Sequence, residues 1–416
     1  MSMLYNGAFR GFGFTVWTCL LMAVLPVQAS PVLSYEALIQ MLNRMPTSLE
    51  ADALYEAAEA RVLQTGTLLN PTIALESANA QGSGPYAGYK NAETTLTISQ
   101  PLELWGKRGS RTKIAEAQAN VADLRRVQSR WAMAGRIAQI YADAEVALRR
   151  YELVMEMLSL AQSDKRAVQV LVSEGRQTSL QVVQADRDVA LAQAQLDEAL
   201  ANRDVALARL SALTWKKASV SVLGESLLDR TPSIKNFFSK TPLMVRVAQS
   251  ERDVAASLVV MEQHKAYPDV SVSLGFTRFE DSRDNALSLG LSLSIPLFDR
   301  NTNGISAARA EQKAAEARLT ASLLEAEVDR RSVKARLDAS ESRIRAADSG
   351  TRAAKEGYRL ARIAFDAGRF SLQELSNARL ALLTACNSAI DSRLERVRAE
   401  IDRARLEERA PFMEVL

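Results

Sequence analysis

The chain has 416 residues, enough for two or three domains, yet it carries one histidine and two cysteines. A lone histidine cannot build a histidine-based zinc site, and two cysteines are too few for a disulfide scaffold. Its 52 basic and 49 acidic residues are interspersed and leave a net charge of +3, with no basic block and interleaved aromatics to support nucleic-acid binding.

Residues 1–29 read as a signal peptide: Arg10 supplies positive charge, Phe14 to Leu25 form the apolar core, and Val27-Gln28-Ala29 resembles a cleavage site. Cleavage there makes Ser30 the new terminus. The rival, a lipid on Cys19, fits the preceding Val16-Trp17-Thr18 poorly. Loss of the signal leaves Cys386 alone, so no intrachain disulfide is expected. No later run of about eighteen apolar residues predicts a transmembrane helix. Export without such a helix leaves the periplasm, the outer membrane or the exterior.

A helix is predicted from Pro46 to about Leu63, since proline is tolerated in a first turn. Asn70-Pro71 then opens a strand pair over about 72–79 and 94–102, split by a Gly-rich loop. From about Lys107 to Val172 the chain is proline-free and rich in Ala, Arg, Gln, Glu and Leu, with Gly135 the interruption. Some sixty residues at about 1.5 Å each make a helix of about 90 Å. Val121, Leu124, Gln128, Trp131, Gly135, Ala138 and Glu145 follow 3.5-residue spacing, a coiled-coil seam whose polar members predict a partly wet contact. Glu174-Gly175-Arg176 turns this helix, and a shorter one returns from Ser179 to about Leu213. Residues 216–241, with Pro232, Phe237 and Phe238, lack periodicity and read as a connection.

The pattern then repeats. A helix runs from Pro242 to about His264, and strands follow over about 269–277 and 286–296. Here the alternation is strict: Val270, Val272, Leu274 and Phe276 alternate with Ser271, Ser273 and Gly275. On the return, Leu287, Leu289, Leu291, Leu293 and Ile295 alternate with Ser288, Gly290, Ser292 and Ser294. Runs of about nine or ten residues suit a tilted membrane strand with lipid on one face and an aqueous lumen on the other. Both pairs close on Pro-Leu, at Pro101-Leu102 and Pro296-Leu297, where proline suits a strand end. A second long helix spans about Ser306 to Ala367, Gly368-Arg369 turns it, and the chain returns from Ser371 to about Glu408. Glycine adopts the left-handed turn cheaply, and Ser179 and Ser371 are expected to cap the returning helices.

Each half is therefore short helix, strand pair, long helix, glycine turn, returning helix. This duplication resembles the TolC-like outer-membrane efflux proteins over nearly the whole mature chain. Ser99-Gln-Pro-Leu-Glu-Leu-Trp-Gly-Lys-Arg108 is similar to the strand-to-helix junction of their heavy-metal, CzcC-like branch. The resemblance implies a mainly helical fold with strands: a trimeric barrel continued by a helical tunnel into the periplasm. Its units here are a first repeat over 30–215, the connection, and a second repeat over 242–410. It implies an exit duct in a tripartite pump with a periplasmic adaptor and an inner-membrane transporter of the RND type, exporting cations such as cobalt, zinc, cadmium or copper. Physics agrees in part, because four strands cannot close a barrel, open edges are not tolerated in lipid, and three copies would bring twelve strands.

The expected lipid-facing residues are Val270, Val272, Leu274, Leu289, Leu291 and Leu293. Trp105, Tyr267 and Phe298 lie just past strand ends, where aromatic girdles form, and Tyr86 and Tyr89 lie in the opposite loop. The turns at Gly175, Arg176, Ser179, Gly368, Arg369 and Ser371 are the expected adaptor-docking tips. Where the family often places acidic constriction rings, this chain has Gln181, Gln184, Gln373, Glu374 and Ser376, so a strongly acidic gate is not expected. Asp186, Asp188 and Glu198 recur at helical spacing and read as a solvated face. No catalytic constellation, cofactor site or resident metal site is expected. Alternatives are drug, solute or protein export through the same fold, and a structural periplasmic coiled-coil protein.

Overall fold

The computed structural model describes residues 32–214, 222–231 and 241–413. The signal segment with Cys19 and Ser30, and Pro232, Phe237 and Phe238 of the connection, lie outside the described residues.

In chain order the elements are β1 (Val32–Leu33), α1 (Tyr35–Gln40), α2 (Pro46–Gly66), β2 (Thr72–Ala78), β3 (Glu93–Leu102), α3 (Lys107–Ser173), α4 (Ser179–Ala212), β4 (Val222–Leu223), α5 (Leu243–Lys265), β5 (Asp269–Phe279), β6 (Asn285–Ser294), α6 (Thr302–Asp366) and α7 (Leu372–Leu406). At 67 and 65 residues, α3 and α6 are each about 100 Å long. Two short helices together flank each of them. Near the sheet α2 lies on α3 and α5 packs against both long helices, while α4 on α3 and α7 on α6 cover the other end.

The sheet has the order β2-β3-β5-β6, antiparallel throughout, so the two sequence hairpins join through β3 and β5. Pro101 does not end β3, as it pairs with Ser271 and Leu102 still pairs with Val270. Its missing N–H is tolerated there because the β2 pairing already stops at Ser99, leaving one side of Pro101 without a neighbouring strand. Pro296 lies beyond β6, which ends at Ser294.

The largest core sits mid-length, where α3 meets α1, α4 and α7 around Tyr35, Ala134, Ile137, Ala138, Tyr141 and Leu210. The buried stripe of α3 is wider here than a two-helix seam, since several neighbours surround the helix. Gln128 of the expected seam is exposed. Glu145, expected at a wet contact, is buried, and its Oε2 accepts the backbone N–H groups of Leu227 (2.8 Å) and Leu228 (3.1 Å). The connection is accordingly not a loose linker over 222–231. Leu227 and Leu228 are fully buried, Arg396 donates to the Leu228 carbonyl at 2.6 Å, and β4 pairs in parallel with β1. Gly135 permits a close helix contact, because a Cβ there would lie 3.2 Å from Ile401 Cγ2.

Candidate functional site

Register decides the faces of the sheet. Val270, Val272 and Leu274 pair with Leu293, Leu291 and Leu289, so all six lie on one face. Ile98 and Leu96 extend it across β3, and Ile73 and Leu75 across β2. The opposite face carries Thr97, Ser99, Ser271, Ser273, Gly275, Ser288, Gly290 and Ser292. It is packed small, as a Cβ on Gly290 would overlap Ser273 Oγ and one on Gly275 would overlap Ser288 Oγ. Leu289 and Leu291 are 80% and 74% exposed, within an apolar surface of a kind that soluble monomers rarely leave open.

Aromatics mark both ends of that face. At one end Trp105 stacks on Tyr267 with centroids 5.7 Å apart, both half exposed, and Phe298 is wholly exposed. Lys107 ties this end together, donating to Asp269 at 2.6 Å and to the Tyr267 carbonyl at 2.8 Å. Gly106, at φ +75°, turns the chain into α3, and a Cβ there would press on the His264 ring at 3.1 Å. His264 itself meets Ser110 Oγ through Nδ1 at 3.1 Å, a structural contact. At the other end the Tyr89 hydroxyl lies 2.9 Å from Thr94 Oγ1 and 3.2 Å from Ser77 Oγ. Two polar side chains bordering the apolar face thereby share a partner.

The far ends of the long helices reverse at Gly175 and Gly368, with φ of +72° and +73°. In both turns the residue after the glycine reaches back five positions into the helix: Arg176 N–H donates to Leu171 O at 2.9 Å, Arg369 N–H to Ala364 O at 2.8 Å. The entries to the returning helices differ. Ser371 caps α7 in a reciprocal capping box with Glu374, whose carboxylate accepts the Ser371 N–H at 2.7 Å. That backbone bond holds the Glu374 carboxyl below its usual range. Ser179 does not cap α4; the cap position is Thr178, which makes no side-chain bond. Arg176, Ser179, Arg369, Ser371, Gln373 and Glu374 are exposed, Gln181 and Gln184 half-buried. The two turns adjoin, with Arg176 Nη2 3.6 Å from where a Gly368 Cβ would sit.

Behind the tips lies an ionic cluster that links all four helices. Asp164 of α3, 1% exposed, accepts from Arg379 of α7 (2.6 Å), Arg362 (2.5 Å) and the Tyr358 hydroxyl (2.9 Å) of α6. Arg379 also donates to Asp188 of α4 at 3.1 Å, which Ser376 bonds as well. Asp188 is thus no solvated-face carboxylate, although Asp186, paired at the surface with Lys165, and Glu198 are. The sequence did carry a signal. Asp164 stands in the stripe Met157, Ala161, Val168, Leu171, and Arg379 in the stripe Leu372, Leu375, Leu382, so each charge occupies a core position. Asp188 is pushed up by burial, but the bonds from Ser376, Arg187 and Arg379 outweigh this and hold its carboxyl below the usual range. A depressed carboxyl contributes stability above its unfolded pKa of about 3.9 and loses it as pH falls through the folded value. The α4–α7 link should therefore hold from pH 7 down to pH 5. Hydrogen exchange over 179–192 that sped up markedly at pH 5, after correction for intrinsic rates, would contradict this.

Among the described residues no group of His, Cys, Asp and Glu could hold a metal ion, and no helix is long and apolar enough to cross a membrane. A family model described as outer membrane efflux protein matches residues 37–214 and 243–405. The chain belongs to this family. Over 403 residues the efflux protein is 38% identical to the nickel-cobalt-cadmium resistance protein NccC of Alcaligenes xylosoxydans xylosoxydans, covering 95% of this chain and 91% of that one. It is 37% identical over 298 residues to the nickel and cobalt resistance protein CnrC of Cupriavidus metallidurans, covering 70% of each. Among solved structures it is similar to CusC (TM-score 0.78, 16% identity, covering 89% of this chain and 91% of that one). It is also similar to VceC of Vibrio cholerae (TM-score 0.73, 20% identity, 89% and 95%). The fold of the efflux protein is therefore TolC-like, with the sheet as its share of an outer-membrane barrel and the helices reaching into the periplasm. Family and fold are those of channel proteins.

Proposed function

We propose that this efflux protein is the outer-membrane exit duct of a tripartite pump, that three copies close the channel, and that divalent metal cations such as nickel, cobalt and cadmium are its cargo. The observation that carries the duct is the four-stranded sheet with two free edges beside a continuous apolar face. Lipid does not tolerate free edges, and three copies bring twelve strands. Matching flanks run the length of the chain and support the closure. Helices α2 and α4, both packed on α3, expose Leu54, Leu63, Leu180 and Val183, and α6 exposes Leu324, Val328, Leu360 and Ile363. In a ring of copies each flank meets the other. The face through Leu291 contacts lipid, and the polar face lines the lumen. Support for the metal cargo is the similarity to NccC over 95% of the chain. The cargo passes through and needs no resident site.

The tips dock the periplasmic adaptor, which is joined in turn to an inner-membrane RND transporter. Six such turns would face the periplasm in a trimer, each offering an exposed arginine at Arg176 or Arg369. Gln181, Gln184, Gln373 and Glu374 line the narrow end, where Glu374 is the ionised member. The test uses a strain lacking this protein but retaining its pump. The wild-type protein restores nickel and cobalt tolerance and cross-links to the adaptor. The double variant Arg176→Glu, Arg369→Glu reaches the membrane as a trimer yet loses adaptor cross-linking and tolerance. Full tolerance in that variant would place docking elsewhere, and no change in metal tolerance on deletion would refute the cargo.

A further inference from the structure

Beyond the ladder, both halves leave the same end of the sheet, since Leu102 pairs with Val270 and Asp269 with Ser294. Residues 103–108 and 295–300 therefore emerge together. Glu103 opens the first segment and Asp299 precedes Arg300 in the second, and each presents an apolar pair followed by an arginine. Leu104, Trp105, Leu297 and Phe298 are exposed, continuing the apolar face past the last strand residues. Arg108 and Arg300 come next, both exposed.

The charges around them are mostly committed. Lys107 is paired with Asp269, Arg111 with Glu103 and Lys265 with Glu262; Asp299 accepts the Asn301 N–H at 2.9 Å and keeps its charge next to Arg300 in the chain. No ion pair to Arg108 or Arg300 is found among the described residues. Arg108 also gains nothing from its own helix, because a cation in the first turn opposes the helix dipole. Among the described residues neither guanidinium has an ion-pair partner, and both stand exposed at the boundary of the apolar belt.

We propose that Arg108 and Arg300 form a basic collar that binds the headgroups of anionic glycerophospholipids in the periplasm-facing leaflet. The inference rests on the reading of the Leu291 face as lipid-facing. The apolar face of the sheet sits at acyl depth, Phe298 and the Trp105–Tyr267 stack at the interface, and the two guanidinium groups at headgroup depth, where aromatic belts and cationic residues meet lipid. A guanidinium presents a planar fork to a phosphate, so a phosphodiester bearing a net negative charge suits the site better than a zwitterionic headgroup. In a ring of three copies the pair repeats and forms a belt.

The experiment places the full mature protein in nanodiscs of phosphatidylethanolamine with one fifth phosphatidylglycerol and measures retained lipids by native mass spectrometry. Wild type should retain phosphatidylglycerol several-fold above its bulk share, and less so at high salt, because exposed charges are screened. The double variant Arg108→Gln, Arg300→Gln should insert as a trimer and retain lipids at the bulk ratio. Arg108→Lys, Arg300→Lys should keep part of the enrichment. No enrichment in wild type, or equal enrichment in the glutamine variant, overturns the collar. If wild type does not insert into the bilayer at all, the lipid-face reading fails and the collar with it.

Discussion

Leu291→Arg is expected to hinder membrane assembly by about 2–4 kcal/mol if the residue lies near the bilayer midplane. Leu291 is mid-strand on β6, 74% exposed, and paired with Val272 in the centre of the apolar face. An arginine there places a charge in hydrocarbon with no partner, since both neighbours on its face, Leu289 and Leu293, are also apolar. Ser292→Arg lies one residue away but on the polar face opposite Ser271. That variant should assemble like wild type and lower single-channel conductance, because its charge and bulk enter the lumen. Folding into vesicles followed by heat-modified gel mobility measures the first effect, and planar-bilayer recording the second. Equal assembly defects in the two variants would remove the lipid–lumen division and leave the hairpins as a soluble sheet.

Removing the Arg379 side chain with Arg379→Met should destabilise the periplasmic end by about 1–3 kcal/mol, the scale for leaving a buried polar atom without its partner, since Arg362 still pairs with Asp164. The cost comes from what remains. Asp164 is 1% exposed, and its Oδ2 would lose the 2.6 Å bond that Arg379 supplies. Asp188 would lose a partner as well, although Arg187 and Ser376 still reach it. Asp164→Leu together with Arg379→Met should recover most of the loss, as paired burial of apolar groups is often neutral. Arg362 keeps Asp366, at 3.2 Å, in that double variant. Hydrogen exchange of 160–190 and 375–385 in the folded protein measures the opening free energy. A single-variant cost below about 1 kcal/mol would assign the cluster to the class of exposed ion pairs.

These two sites differ in how far they could be read from the chain alone. Period-2 alternation over 270–276 and 287–295 determined the strand faces, because a strand's side chains can only alternate. Long proline-free stretches rich in helix formers determined α3 and α6, and glycines at 175 and 368 determined where they reverse. Those features are local, written in a few consecutive residues, and the duplicated order of elements follows from them. The sheet order was not local. That β3 pairs with β5 and so joins the two halves into one surface is a contact between residues about 180 apart, as in Thr95 with Thr277. Nothing within either hairpin specifies it.

Charges show the same division. A carboxylate at helical spacing looks alike whether it faces water or a neighbouring helix, so Asp188 and Glu145 read as solvated or wet. Only the packing of residues 222–231 against α3 turned Glu145 inward, and only the approach of α7 brought Arg379 to Asp188, whereas Asp164 and Arg379 already stood at core positions of their own stripes. Capping divided similarly: Ser371 with Glu374 three residues on is a local signature and formed, whereas Ser179 fell one position inside α4. Sequence determines what its own period and turn chemistry can express. Tertiary structure decided which charges are buried, because burial depends on what arrives from elsewhere in the chain.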